Sequence, residues 1–375
     1  MATEHPHHEY LAIDLARGIA AFSVLVWHYQ GFYVLRAGTP PIFAHASEQP
    51  FYWLLRIFYN YGALAVQLFW AISGFVFASA YIERRVTARQ FFVARFARLY
   101  PLHFITLLVV AAIQIFSMRQ LGIYQFYRYN DIYHFTLNLL FASSWGFEKG
   151  FSFNAPIWSV SVEVGIYAVF LLTVPILVRL RLLGPVLLAG AFYLLQRYGP
   201  HSLFWQCGYY FYMGVLLYRV VKLTGPWCGA LGLGLLLMWR LTGFGNLDTM
   251  APQAIPSLFA GMLLCAASVD KMQIGSGVLR RLAWIGESTY SSYLWHIPVI
   301  MITVIAFDLV GVDRLPIISR GWFFLSFIAI VFSIARFSYL HIELPLQAYL
   351  RKKWMPGRPT REEALITRGA APWNR

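Results

Sequence analysis

The chain has 375 residues, of which 59% are hydrophobic, 18% aromatic and 12% charged. Soluble domains are about a quarter charged. This composition, a mean hydropathy of +0.58 and repeated apolar runs near twenty residues long therefore exclude a soluble domain and predict an all-α polytopic membrane protein. The formal charge of +14 would point to nucleic acid in a soluble chain, but here topology has to be tested first.

The N-terminal MATEHPHHEYLAIDLARG has no basic n-region and no small-residue cleavage site, so the first apolar run reads as a retained span. His5, His7 and His8 read as a solvated tail. The run itself, 11–34, contains Arg17 and His28. Eleven helical steps return to within about 20° of the start, so both side chains share a face, about 16 Å apart along the axis. Ionisable groups at such depth are functional candidates. The bland alternative is a snorkelling arginine with a satisfied interior histidine.

Further spans are expected near 60–82, 99–117, 156–178, 182–197, 203–221, 226–243, 252–269, 285–308 and 321–343, giving about ten transmembrane helices. An even count puts both termini on one side. The connections with Arg84, Arg85, Arg89, Arg95 and Arg98, with Arg179 and Arg181, and with Lys271, Arg280 and Arg281 alternate onto that side, as does the basic tail. The positive-inside rule makes it cytoplasmic, which accounts for the net charge without nucleic acid. The expected division is a membrane-embedded domain over 1–345 and a cytoplasmic basic tail over 346–375, where Thr360-Arg361-Glu362-Glu363 has the capping-box pattern of a short helix.

Two connections on the far side are long, 35–59 and 118–155. The second is rich in aromatics, including Tyr127, Tyr129, Tyr133, Trp145 and Phe147, with an interfacial helix expected over 132–142. An aromatic belt at the headgroups and a stacking surface for a sugar both fit it. Cys207, Cys228 and Cys265 lack metal-type spacing, and no Walker loop, GxGxxG or HExxH occurs.

Four short stretches could support chemistry. Arg95-Phe96-Ala97-Arg98, before Leu99-Tyr100-Pro101, puts two guanidiniums on one helix face, suited to the phosphates of a nucleotide or coenzyme A. On its own it equally reads as a positive-inside flank. In Asn154-Ala155-Pro156-Ile157-Trp158-Ser159-Val160-Ser161-Val162-Glu163, Ser159 and Glu163 share a face, and Glu163 suits acid–base or histidine-orienting work. Ser288-Thr289-Tyr290-Ser291-Ser292-Tyr293-Leu294-Trp295-His296-Ile297-Pro298 brings a second histidine into a span. In Ser338-Tyr339-Leu340-His341-Ile342-Glu343-Leu344-Pro345, Glu343 and Pro345 read as a helix stop, with Glu343 as a cap.

Together, LARGIAAFSVLVWHY, VQLFWAISGFVF, RFARLYP, NAPIWSVSVE, FYMGVLLY, STYSSYLWHIP and SYLHIELP resemble acyltransferase family 3, over residues 11 to 345. Gln67 stands where the family more often has an aspartate, and Leu15-Ala16 departs from its DGLRA pattern. The resemblance implies a stand-alone O-acyltransferase of a bacterial inner membrane, using cytoplasmic acetyl-CoA or another acyl-CoA and no metal. Its acceptor would be a hydroxyl of a saccharide, possible classes being exopolysaccharide, lipopolysaccharide and lipid-linked glycan. It implies catalytic roles for His28, Arg17 and Glu163, and donor contacts at Arg95, Arg98, Ser73 and Tyr100. Acceptor contacts are expected at Trp158, Ser159 and His296. His28 would act as general base or form an acyl-imidazole; the residues leave both open. Alternatives are a transporter or flippase of a lipid-linked glycan, with the buried charges as its path, and an acyltransferase acting on a macrolide-like small molecule.

Overall fold

The computed structural model describes residues 10–34, 46–82, 86–241 and 254–355. The expected helix opening at Thr360 lies outside them. Among the described residues there are helices and no strands. In chain order they are α1 (Leu11–His28), α2 (Tyr52–Tyr61), α3 (Ala65–Phe77), α4 (Ala88–Leu121), α5 (Ile132–Leu139), α6 (Trp158–Leu180), α7 (Leu183–Tyr198) and α8 (Leu203–Thr224). They continue with α9 (Cys228–Leu241), α10 (Ile255–Met272), α11 (Ser276–Glu287), α12 (Thr289–Val310), α13 (Leu315–Ile318), α14 (Gly321–Ser338) and α15 (Leu344–Trp354). Helices alone suit a lipid environment, because each satisfies its own backbone polar groups.

Each of the ten predicted spans contains a helix, but the described residues hold eight stretches long and apolar enough to cross a membrane. The difference has two sources. Helix α7 has 16 residues, short of the roughly 20 a bilayer core requires. Helices α8 and α9 run together within one 39-residue stretch, Leu203–Leu241. The chain is a multi-pass membrane protein. Residues 52–59, expected in a connection, instead begin a helical stretch that continues to Ile82.

The helices fall into two compact units. The first comprises residues 1–22, 64–84 and 172–287. Its helices approach through small residues: a Cβ on Gly74 would collide with the Phe211 carbonyl, and one on Gly214 with the Ala71 carbonyl, so α3 and α8 meet backbone to backbone. The start of α1 is capped from α10, whose Asp270 carboxylate accepts the amides of Ala12 (2.8 Å) and Ile13 (3.4 Å).

The second unit comprises residues 23–63, 85–171 and 288–375. Its spine is the 34-residue α4. Thr87 and Gln90 form a reciprocal capping box at its start, and Gly122 closes it at a φ of 70°, a value glycine adopts without strain. Pro101 lies inside it and leaves the Ala97 carbonyl without its usual donor. Helix α12 packs against both α4 and α14, and α15 lies along α4.

Candidate functional site

Two histidines face each other in the second unit, His28 at the end of α1 and His296 on α12. Their ring centroids are 4.6 Å apart, with the planes tilted by 58°. The Nδ1 of His28 bonds the Val24 carbonyl at 2.9 Å, and the Nδ1 of His296 the Ser292 carbonyl at 3.3 Å. A carbonyl can only accept, so each Nδ1 holds the hydrogen and each Nε2 keeps a lone pair. His296 is fully buried, and its Nε2 has no hydrogen-bond partner among the described residues. His28 is half-buried, with the Trp27 ring edge-on at 4.8 Å.

Helix α12 adds a line of buried hydroxyls. Tyr290 donates to the Leu99 carbonyl on α4 (2.7 Å), Ser291 to Glu343 (2.8 Å) and Tyr293 to the Pro156 carbonyl (2.6 Å). The Ser159 hydroxyl lies 2.7 Å from the Tyr293 hydroxyl and 3.3 Å from the same Pro156 carbonyl, so the two hydroxyls share that acceptor. Asn154 donates to the Leu294 carbonyl (2.9 Å), so the first part of the motif, Asn154 to Ser159, is docked on α12. Glu163 is buried and accepts from the Tyr167 hydroxyl at 2.7 Å, while Trp158 is half-buried in the first turn of α6.

Arg95, Arg98 and Tyr100 lie half-buried in the first half of α4. Phe96 stacks on Tyr100, centroids 4.5 Å apart, and meets Trp354 of the basic α15 at 5.5 Å. Arg89 donates to the Trp354 carbonyl at 3.2 Å. Of the ten residues expected in the site, eight therefore belong to the second unit. Arg17, ion-paired with Asp14 at 3.3 Å, and Ser73, half-buried on α3, belong to the first.

One expectation is corrected. Glu343 does not stop or cap a helix: α14 passes through a π-helical turn, Tyr339–Glu343, directly into α15. Its carboxylate is buried, 2% exposed, and turned onto α12. Tyr290 and Tyr293 were not singled out in the sequence, although with His296 they recur every third residue, the spacing of one helix face.

The 118–155 connection is folded, and α5 forms inside it as expected. Gln114 and Gln125 exchange side chain–backbone bonds at 2.9 Å. His103 on α4 bonds the Asn138 carbonyl at 2.8 Å, and Trp145 donates to the Ser161 carbonyl at 2.9 Å. Asp131 caps α5 by accepting the His134 amide (2.8 Å) and contacts the His134 ring (2.7 Å). The backbone bond, then the ring, holds its carboxyl below the usual carboxylate range. Tyr133, Trp145, Phe147 and Phe151 remain exposed on this connection.

A family model described as an acyltransferase domain matches residues 10–336. Nodulation protein 10 of Rhizobium leguminosarum bv. viciae is 27% identical over 301 residues, covering 69% of this chain and 77% of its own. Protein 2 in the picA locus of Rhizobium radiobacter is 33% identical over 29% of this chain and 48% of its own. Acyltransferase MdmB of Streptomyces mycarofaciens is 37% identical over 29% and 27%, respectively. The matches thus span about half of the picA-locus protein and about a quarter of MdmB. No solved structure matches.

Proposed function

The chain belongs to acyltransferase family 3, and on that premise we propose that it transfers an acyl group, in the first instance acetyl, from cytoplasmic acyl-CoA to a hydroxyl of a saccharide. The observation behind this reading is the facing pair His28 and His296, two imidazoles whose Nδ1 atoms are bound to carbonyls and whose Nε2 atoms keep lone pairs. His28, the more accessible of the two, takes the proton of the acceptor hydroxyl at Nε2. The oxygen attacks the thioester carbonyl, the C–S bond breaks, and the sulfur recovers the proton from His28. His296 accepts a hydrogen bond from the acceptor beside it, with Ser159 and Trp158 flanking the acceptor. In the other order of events, His28 Nε2 attacks the thioester first, the C–S bond breaks and the thiolate leaves, and the acceptor hydroxyl then takes the acyl group from the imidazole while its proton passes to the thiolate.

Arg95 and Arg98 suit the donor's phosphates, because guanidinium forks pair with phosphate oxygens in a fixed geometry, and Tyr100 completes the donor contacts. Glu163 supports the catalytic histidine. The exposed aromatics of the 118–155 connection favour a sugar acceptor, presented at the outer face of a bacterial inner membrane.

The test is incubation of detergent-purified protein with radiolabelled acetyl-CoA, wild type beside His28→Ala. Thioester loss in the wild type alone is expected. Label retained on the wild-type protein selects the acyl-imidazole route. Equal turnover in both proteins removes His28 from the chemistry, and absence of turnover with any acyl-CoA removes the donor assignment.

A further inference from the structure

We propose that Glu343 is a positioning residue for Arg98, holding that guanidinium in the donor site; the proposal rests on the acyl-CoA reading above. Pro345 has no N–H to give to the His341 carbonyl four residues earlier, and the turn just before it is π-helical, Tyr339–Glu343. A π-turn inserts an extra residue and shifts the phase of the side chains after it. Here Glu343 is delivered to α12 and α4, although the sequence reads as a helix ending at the surface.

Burial of a carboxylate is costly unless its oxygens find donors or a cation. Glu343 has one such donor, the Ser291 hydroxyl at Oε2. Its Oε1 is buried with no hydrogen-bond partner among the described residues. The neighbouring Tyr290 hydroxyl donates to the carbonyl of Leu99, the residue after Arg98. Two adjacent residues of α12 thus fasten both the Glu343 carboxylate and the backbone next to Arg98. The π-turn that carries Glu343 also packs directly against α4, the helix of Arg98. A guanidinium presents five N–H groups in a planar fork, enough for one edge to face a carboxylate while the other faces a phosphate. Glu343 supplies the charge that fixes the fork, and Arg98 makes the donor contact.

A purely structural role, with Glu343 only tying α14 to α12, predicts something different, and a double-mutant cycle separates the two. Acetyl-CoA affinity is measured by titration of the detergent-purified full chain for wild type, Glu343→Ala, Glu343→Gln, Arg98→Ala and the doubles, with KM for donor and acceptor measured alongside. Glu343→Ala is expected to weaken acetyl-CoA binding by about tenfold with the acceptor KM unchanged. In the Arg98→Ala background the same change should have little further effect. Glu343→Gln keeps an oxygen for Ser291 but loses the charge, and should fall between the two. It also serves, with its own double, if the alanine variant does not fold. The proposal is overturned if the Glu343 and Arg98 effects multiply independently, or if Glu343→Gln binds acetyl-CoA as wild type does. Wild-type protein that does not bind acetyl-CoA would instead remove the donor reading, and this assignment with it.

Discussion

A lone pair on Nε2 is what a general base or a nucleophile needs, and in both His28 and His296 it is the carbonyl of the preceding helical turn that secures it. Replacing either ring by one without nitrogen keeps the packing and removes the chemistry. We expect His28→Phe to fold and to lose acyl transfer by about a hundredfold or more. At His296, glutamine can place an oxygen close to the position of Nε2, whereas phenylalanine cannot. His296→Gln should therefore keep several times the activity of His296→Phe, with the difference appearing in the acceptor's KM. Steady-state kinetics of the two variants at matched expression give the answer. Equal activities would mean that the ring packs against His28 without contacting the acceptor.

Helix ends and connections were harder to read from the sequence than the helices themselves. Long apolar runs place each membrane-spanning helix, whereas the capping box of Thr87 and Gln90, which starts α4 well before the expected residue 99, was not read from the sequence. Glu343 was misread because a proline and a charge after an apolar run are the usual signs of a stop, and periodicity cannot register a π-turn. The 118–155 connection showed its aromatics in the sequence, but its fixing bonds pair residues that no local pattern links, such as His103 with Asn138 and Trp145 with Ser161. Its cap is testable. Asp131→Ala removes the acceptor for the His134 amide and should speed deuterium exchange over 132–139, whereas Asp131→Asn, which retains an oxygen, should change it less. A carboxyl held below its ordinary value contributes stability that is complete above that value, about 3.9, and is lost as the pH falls through the lowered one. Protection of the α5 amides, taken against their intrinsic exchange rate at each pH, should thus fall only in acid below pH 4. Unchanged exchange in the alanine variant would leave the cap without a role in holding the connection.

Across the second unit as a whole, the chemistry is spread along the length of the helices. From Arg98 to Gln114, where the 118–155 connection is fastened, α4 rises about 24 Å, and from Tyr290 to His296 α12 rises about 9 Å. The arginines and the basic α15 gather at one end of α4, and the aromatic connection is fastened along it from His103 to Gln114. A donor held by its phosphates at the basic end and an acceptor arriving over the aromatics would meet at His28, which requires the two ends to face opposite compartments. The transporter alternative loses its footing with the family match, but orientation can be measured directly. In a background with Cys207, Cys228 and Cys265 replaced, single cysteines at the exposed positions Lys149 and Lys353 are treated with a membrane-impermeant maleimide. Lys149→Cys should react in intact cells and Lys353→Cys only after lysis, as the positive-inside rule requires. The reverse pattern would put Arg95 and Arg98 outside the cell, away from any supply of acyl-CoA, and the donor would have to be sought among extracytoplasmic acyl carriers.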